Sequence, residues 1–131
     1  MAVPYTKAAQ ILDEQIETIT SHQIISLLMD GALERIDQSI LALHAQHLEE
    51  FYVLKGKLIA IINGLRNSLD FARGGEIATN LNDLYMYMAE RLEDTEGAEH
   101  LLALSEVRHL LLEIKAGWDN MPKEAINQVA A

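Results

Sequence analysis

Residues 65–92 read LRNSLDFARGGEIATNLNDLYMYMAERL, and this stretch decides the fold. Its leucines recur at helical spacing up to Asp70–Arg73, the adjacent glycines Gly74 and Gly75 follow, and a second run rich in Tyr and Met begins after them. Because glycine readily adopts the backbone angles of a tight turn, the pattern predicts a helix, a turn and a second helix. The stretch is therefore predicted to be a helical hairpin.

Outward from the hairpin, apolar residues recur every three or four positions in four segments, which is typical of amphipathic helices. The predicted helices run over residues 21–45, 48–73, 76–93 and 99–119. Thr20 and Gln23 have the spacing of a capping box, which predicts the start of the first of these helices. The apolar stripes contain Ile25, Leu28, Ala32, Ile36 and Ile40, then Phe51, Leu54, Leu58, Ile61, Leu65 and Leu69, then Ile77, Leu81, Leu84, Tyr85, Met88 and Leu92, then Leu104, Val107, Leu111, Ile114 and Trp118. Short connections between such helices predict an all-α, mostly antiparallel four-helix bundle over residues 20–119.

The ends of the chain are predicted to lie outside this bundle. Residues 1–19 have apolar positions that suit one short helix, and residues 120–131 are predicted to form a mobile tail. The two prolines, Pro4 and Pro122, fall in these end segments, so they do not interrupt the helices between them. At 131 residues the chain has the length of one domain.

Composition excludes several classes of function. The formal net charge of −10 argues against nucleic acid and against anionic membrane surfaces, because both require clustered Lys and Arg. With no cysteine, the chain has neither disulfides nor thiolate metal ligands. Its apolar runs are too short to insert into a membrane, and its first residues do not resemble a secretory signal. A cytoplasmic protein is the expectation.

Catalytic and metal-binding patterns are weak. A di-iron bundle needs two Glu-x-x-His motifs, and this chain offers one, at Glu106 and His109. His44 and His47 have a spacing that could hold a divalent cation, or they are the solvated end of a helix. The chain contains neither a nucleophile elbow nor a phosphate-cradling glycine loop. We expect no metal, no cofactor and no enzymatic activity.

Some apolar side chains fall outside the four stripes, on three successive helices, and they include Tyr and Met, which suit adaptable partner binding. They are Tyr52, Ile59, Met86, Tyr87, Leu102 and Leu112. One interpretation is a groove that receives the helices of a partner. The other is a set of wide stripes, each packed on two neighbouring helices, with ordinary surface leucines. Gly31 likewise either allows a close approach or is simply tolerated.

The hairpin resembles the signature region of the flagellar secretion chaperone FliS family. Residues Thr18–Ile25, TITSHQII, are similar to that family's TASPHQLI segment, and Leu28–Leu33, LMDGAL, is similar to its LYDGA segment. Leu104–Val107 and Ile114–Trp118 are similar to its fourth helix. The resemblance covers residues 18–119 in collinear order.

This resemblance implies a cytoplasmic export chaperone. Such proteins bind the C-terminal helical region of flagellin, prevent its premature polymerisation and deliver it to the flagellar type III export apparatus. An export-gate component and other flagellar proteins are further expected partners. The residue pattern alone also allows an alternative, a self-associating structural or adaptor bundle.

The family pattern also assigns expected roles to residues. The motif residues are Asp30, Gly31, Leu65, Leu69, Gly74, Gly75, Asn80, Leu81, Leu84, Met88 and Trp118. Members of the apolar stripes among them are expected to hold the bundle together, and Asn80 is expected to cap a helix or bridge the helix pair. Contacts to the partner are expected from Tyr85, which belongs to the family pattern, and from the residues outside the stripes, Ile59, Met86, Tyr87, Leu102 and Leu112.

Overall fold

The computed structural model describes the backbone of residues 2–121 and of Val129, and the side chains of residues 22–121 and of Val129. Within this part of the chain there are four helices and no strand. Their bounds are α1 Ala2–His44, α2 Leu48–Asn67, α3 Phe71–Glu93 and α4 Glu99–Asp119. The predicted all-α fold is confirmed. The division into segments 1–19, 20–119 and 120–131 stays a prediction, and most of the last segment lies outside the described residues.

The four helices form a closed ring in which each packs against two others. α1 packs against α2 and α4, and α3 packs against the same two helices. The ion pairs between α1 and α4 show their antiparallel direction, because Asp30 pairs with Lys115 at 3.5 Å and Asp37 pairs with Arg108 at 3.0 Å. The short connections between successive helices make the other neighbours antiparallel as well. The predicted four-helix bundle is therefore confirmed.

The core follows the predicted stripes closely. Fully buried side chains include Ile36 from α1, Leu58 from α2, Met88 from α3 and Val107 from α4, each 0% exposed. In α2 the stripe passes through Ile62, also 0% exposed, whereas the predicted Ile61 is half-buried. A spacing of four after Leu58 keeps this position on the core face of the helix.

The predicted start of the first helix near Thr20 is wrong. α1 is one continuous helix from Ala2 to His44, so the backbone has already been helical for several turns at Thr20. A threonine caps a helix only where the backbone leaves helical geometry, and no proline or glycine interrupts the chain between Pro4 and Gly31. Pro4 lies in the first turn, where its missing N–H has no partner in the helix.

The hairpin also differs from its prediction. α2 ends at Asn67 rather than at Arg73. Ser68 Oγ donates to the carbonyl of Leu65 at 2.6 Å, and the Asp70 carboxylate accepts the N–H of Arg73 at 3.1 Å as the N-cap of α3. These side chains compete with helical backbone hydrogen bonds, which the leucine spacing alone does not reveal.

The predicted turn at the glycine pair is a kink inside α3. Gly75 has φ 51° and ψ −123°, so the helix up to Gly74 is a single turn and the long part of α3 begins after it. This part corresponds to the predicted helix over residues 76–93. The kink changes the direction of α3 after its first turn.

The connection between α3 and α4 contains a small buried polar cluster. Thr95 and His100 are 3% and 5% exposed. Thr95 Oγ1 donates to the carbonyl of Leu92 at 3.1 Å and lies 3.3 Å from Nδ1 of His100. The imidazole of His100 packs on the ring of Phe51, with 4.7 Å between the ring centroids. Burial, followed by the charge of Lys55, lowers the pKa of His100 below its ordinary value.

None of the described helices has an apolar stretch long enough to cross a membrane.

Replacing Gly75 with Ala is expected to lower the free energy of unfolding by about 1–3 kcal/mol, because a Cβ is strained at this backbone geometry. Urea denaturation measures the change. The matched control is Gly56→Ala in α2, where an added Cβ meets no atom within 4 Å. That change is expected to raise the free energy of unfolding by about 0.4–1 kcal/mol. Effects of the same sign in both variants would contradict the role of the kink.

Stability is expected to fall as the pH drops through 6.5, the ordinary pKa of histidine. With a lowered folded-state pKa, His100 binds its proton more readily in the unfolded chain, so acid favours unfolding. The free energy of unfolding, measured in urea at about pH 7.5 and about pH 5.5, should show this loss. His100→Gln should reduce this loss of stability, whereas His109→Gln, at an exposed position, should leave it unchanged. An unchanged pH dependence in His100→Gln would refute the assignment.

Candidate functional site

A cavity of about 220 Å³ lies between α3 and α4, towards the end of the bundle that is far from their connection. Near the connection the two helices are tied together, because Arg91 and Tyr87 of α3 both contact the carboxylate of Glu106 in α4. Farther along, Ile77 and Leu81 of α3 face Ile114 of α4 across the cavity. We call this cavity the α3–α4 pocket.

The pocket arises where the apolar stripe of α3 leaves the core. At the connection end of this stripe, Leu92 and Met88 are fully buried. Three turns earlier Leu81 is half-buried, and Ile77 is 50% exposed. The stripe is continuous along the helix, but α4 covers only the part near the connection. The uncovered part forms one wall of the pocket.

The floor and the opposite wall are also apolar. Ile25 and Met29 of α1 form part of the lining, and α4 adds Ile114, Gly117 and Trp118. Leu69, Met121 and Val129 line the end near the hairpin. Glu113 is the one charged side chain among the described residues that line the pocket, and it pairs with His109 at 3.2 Å. An apolar surface is therefore what the pocket offers a ligand.

Tyr85 lines the pocket and is 2% exposed. Burial raises the pKa of its hydroxyl to about 12, so the phenol stays neutral at physiological pH. It gives the apolar wall a neutral hydroxyl group without adding a charge. At neutral pH this protonated phenol does not act as a general base.

The wall formed by α4 is held against α1 by polar contacts. Lys115 pairs with Asp119 at 2.7 Å and with Asp30 at 3.5 Å, and the hydrogen bond to Asp119 is the main cause of the raised pKa of Lys115. Trp118 donates its indole N–H to the backbone carbonyl of His22 at 3.3 Å, and its ring stacks on the imidazole of His22. The motif residue Asp30 is therefore part of the α1–α4 contact.

The predicted partner-contact residues do not come together in one groove. Ile59 of α2 and Met86 of α3 are half-buried, and Nδ2 of Asn82 donates to Met86 Sδ at 3.6 Å within α3. Leu102 and Leu112 are exposed on α4, 66% and 41% respectively. Tyr87, 46% exposed, donates its hydroxyl to Glu106. Of the six residues, only Tyr85 lines the α3–α4 pocket.

The motif residues fall mainly in the core or beside the pocket. Leu65, Met88 and Trp118 are buried, whereas Leu69, Leu81 and Leu84 are half-buried. Gly31 is tolerated rather than required, because an added Cβ would meet Ile61 Cδ1 at 3.8 Å, an ordinary contact.

The amide that bridges α2 and α3 belongs to Asn82 rather than to Asn80. Asn82 Oδ1 accepts the Nε–H of Arg66 at 2.8 Å, and Asn80 is exposed. The two residues lie about 160° apart around α3, so only one of them faces α2.

Comparison with known proteins identifies the family. The family model described as flagellar protein FliS matches residues 4–125. The flagellar secretion chaperone FliSB of Pseudomonas aeruginosa is 44% identical over 110 residues, covering 84% of this chain and 87% of that protein. The flagellar secretion chaperones FliS of Vibrio cholerae and Salmonella typhimurium are 33% and 35% identical, covering 92% and 87% of this chain and 88% and 85% of their own lengths. The chain therefore belongs to the FliS family of flagellar secretion chaperones, a chaperone family and not an enzyme family.

Proposed function

We propose that this chain is a cytoplasmic export chaperone that binds the C-terminal helical region of flagellin. In this role it prevents premature polymerisation of flagellin and delivers it to the type III export apparatus. Family membership supports a role with flagellar proteins. The observation that carries the proposal is the uncovered apolar stripe of α3, which leaves Ile77 and Leu81 in the wall of an open pocket.

The shape and chemistry of the pocket suit an amphipathic helix. Its volume of about 220 Å³ is below the roughly 300–1,000 Å³ of typical small-molecule sites, so it fits a few side chains of a peptide. An amphipathic helix presents such anchors at spacings of three and four residues. Its apolar face would take the place of the helix surface that α3 lacks. Binding by shape and burial needs no nucleotide and no cofactor.

The same contact accounts for inhibition of polymerisation. A segment that is disordered before assembly and apolar along one face associates with other copies through that face. When the chaperone covers the face, the segment cannot use it for polymerisation, and it stays available for export. We propose that Tyr87, Leu102 and Leu112, which are exposed, extend the contact along the flanks of the bundle. Ile59 and Met86, which are half-buried, are proposed to contribute through their exposed parts.

Ile77→Asp is expected to weaken binding of a flagellin C-terminal fragment at least tenfold, because the carboxylate would have to lose its water inside an apolar pocket. Isothermal titration calorimetry measures the affinity. Since Ile77 is 50% exposed, thermal unfolding of the free chain should change little.

The matched control is Leu41→Asp, which places the same charge at a side chain that is 69% exposed. Leu41 lies 16 positions after the pocket residue Ile25 on α1, or about 24 Å along the helix. The Leu41→Asp variant should bind flagellin with the same affinity as the unchanged chain. Equal loss in both variants would contradict docking at the pocket. The alternative of a self-associating bundle would instead be supported by two results together. No variant would bind flagellin, and the unchanged chain would form a dimer that Ile77→Asp dissociates.

A further inference from the structure

A side chain from the C-terminal end of the same chain forms part of the wall of the α3–α4 pocket. Val129 is 2% exposed and belongs to the lining of the pocket, together with Trp118 and Ile77. Its carbonyl oxygen accepts the backbone N–H of Asp70 at 2.9 Å. Val129 is therefore fixed at two points, by its side chain in the pocket and by its carbonyl at the hairpin.

The hydrogen bond partner is itself part of the hairpin structure. Asp70 is the N-cap of α3, and its carboxylate accepts the N–H of Arg73 at 3.1 Å. Its own N–H lies outside the helical hydrogen-bond pattern, so it is free to donate to an incoming backbone carbonyl. The site thus combines one backbone donor with an adjacent apolar pocket.

We propose that Val129 is a built-in competitor for the hairpin end of the docking surface, which must leave before a partner helix extends over that end. This inference rests on the proposed function. An isopropyl group inserted from a backbone that is hydrogen-bonded at the rim offers the same chemistry as an apolar anchor of a bound peptide. In the free chain, Val129 therefore covers this part of the docking surface, and the partner is a segment of similar apolar character.

The attachment of Val129 combines a short covalent tether with few contacts. Met121, eight positions earlier in the sequence, also lines the pocket, so Val129 is covalently attached close to the site. Such tethering gives Val129 a high effective concentration at the pocket. Against this, it contributes one small side chain and one backbone hydrogen bond, whereas a helix supplies several anchors. The competitor lowers the apparent affinity for the partner by the fraction of time that the pocket is open.

The chain has a native reporter for this competition. Trp118 is its one tryptophan, is 4% exposed and lines the pocket beside Val129. Removal of the valine side chain from the pocket would admit water to the indole and shift its fluorescence emission to longer wavelength. This readout needs no flagellin, so it tests the competitor separately from the proposed function.

The experiment compares the full-length chain with Val129→Ala, Val129→Asp and the matched control Val53→Asp. Val53 is 59% exposed on α2 and does not line the pocket, so its replacement makes the same chemical change at an unrelated site. Val129→Ala removes two methyl groups and is expected to tighten flagellin-fragment binding on the order of tenfold. Val129→Asp should tighten it at least as much and shift the Trp118 emission, whereas Val53→Asp should do neither. Thermal unfolding verifies that each variant is folded.

The outcomes separate the two proposals. A red-shifted Trp118 emission with tighter binding supports the competitor. Unchanged emission together with unchanged affinity refutes it, and weaker binding in Val129→Asp would mean that Val129 belongs to the surface that the partner uses. Failure of every variant to bind flagellin refutes the proposed function, and in that case a red shift confined to the Val129 variants still shows that Val129 occupies the pocket.

Discussion

The apolar stripe of α3 is longer than the surface that its neighbours cover, and the pocket depends on this mismatch. At the connection to α4, Leu92 and Met88 lie in a closed core, and toward the hairpin Ile77 is 50% exposed. In a bundle with four fully packed helices this region would be filled by side chains at close-packed density. Here a space of about 220 Å³ is left, and Val129 forms part of its wall. Covering this exposed apolar surface with an apolar group is favourable, because the surface is then removed from water.

The remaining contacts keep the mismatch in place. α4 is tied to α3 at Glu106 and to α1 by the pair Arg108–Asp37, so it does not slide to close the pocket. These pairs are partly exposed, and each contributes about 1 kcal/mol or less. Their value lies in fixing the register of the helices, whereas the buried stripe residues supply most of the stability. The kink at Gly75 then sets the direction in which α3 leaves the hairpin.

Periodicity in the sequence predicts which residues face the core, and it succeeds for Ile36, Leu58 and Val107 because each is covered on every side. It does not predict how completely a neighbouring helix covers a stripe. For this reason periodicity places Ile77 in the apolar stripe of α3 without indicating that it lies at the pocket, and it favours the off-stripe residues as contacts. The side-chain cap that Asp70 provides and the contact of Val129 with a distant part of the chain also leave no periodic signal in the sequence. The hydrogen bond between them becomes visible only in three dimensions.

Methyl NMR of the chain with labelled isoleucines tests whether flagellin docks in the α3–α4 pocket. On addition of a flagellin C-terminal fragment, the largest shifts are expected at Ile77, Ile114 and Ile25, which line the pocket. Ile36, fully buried and outside the lining, should change little. Saturable binding with the largest shifts elsewhere, and unchanged signals from Ile77 and Ile114, would contradict the account.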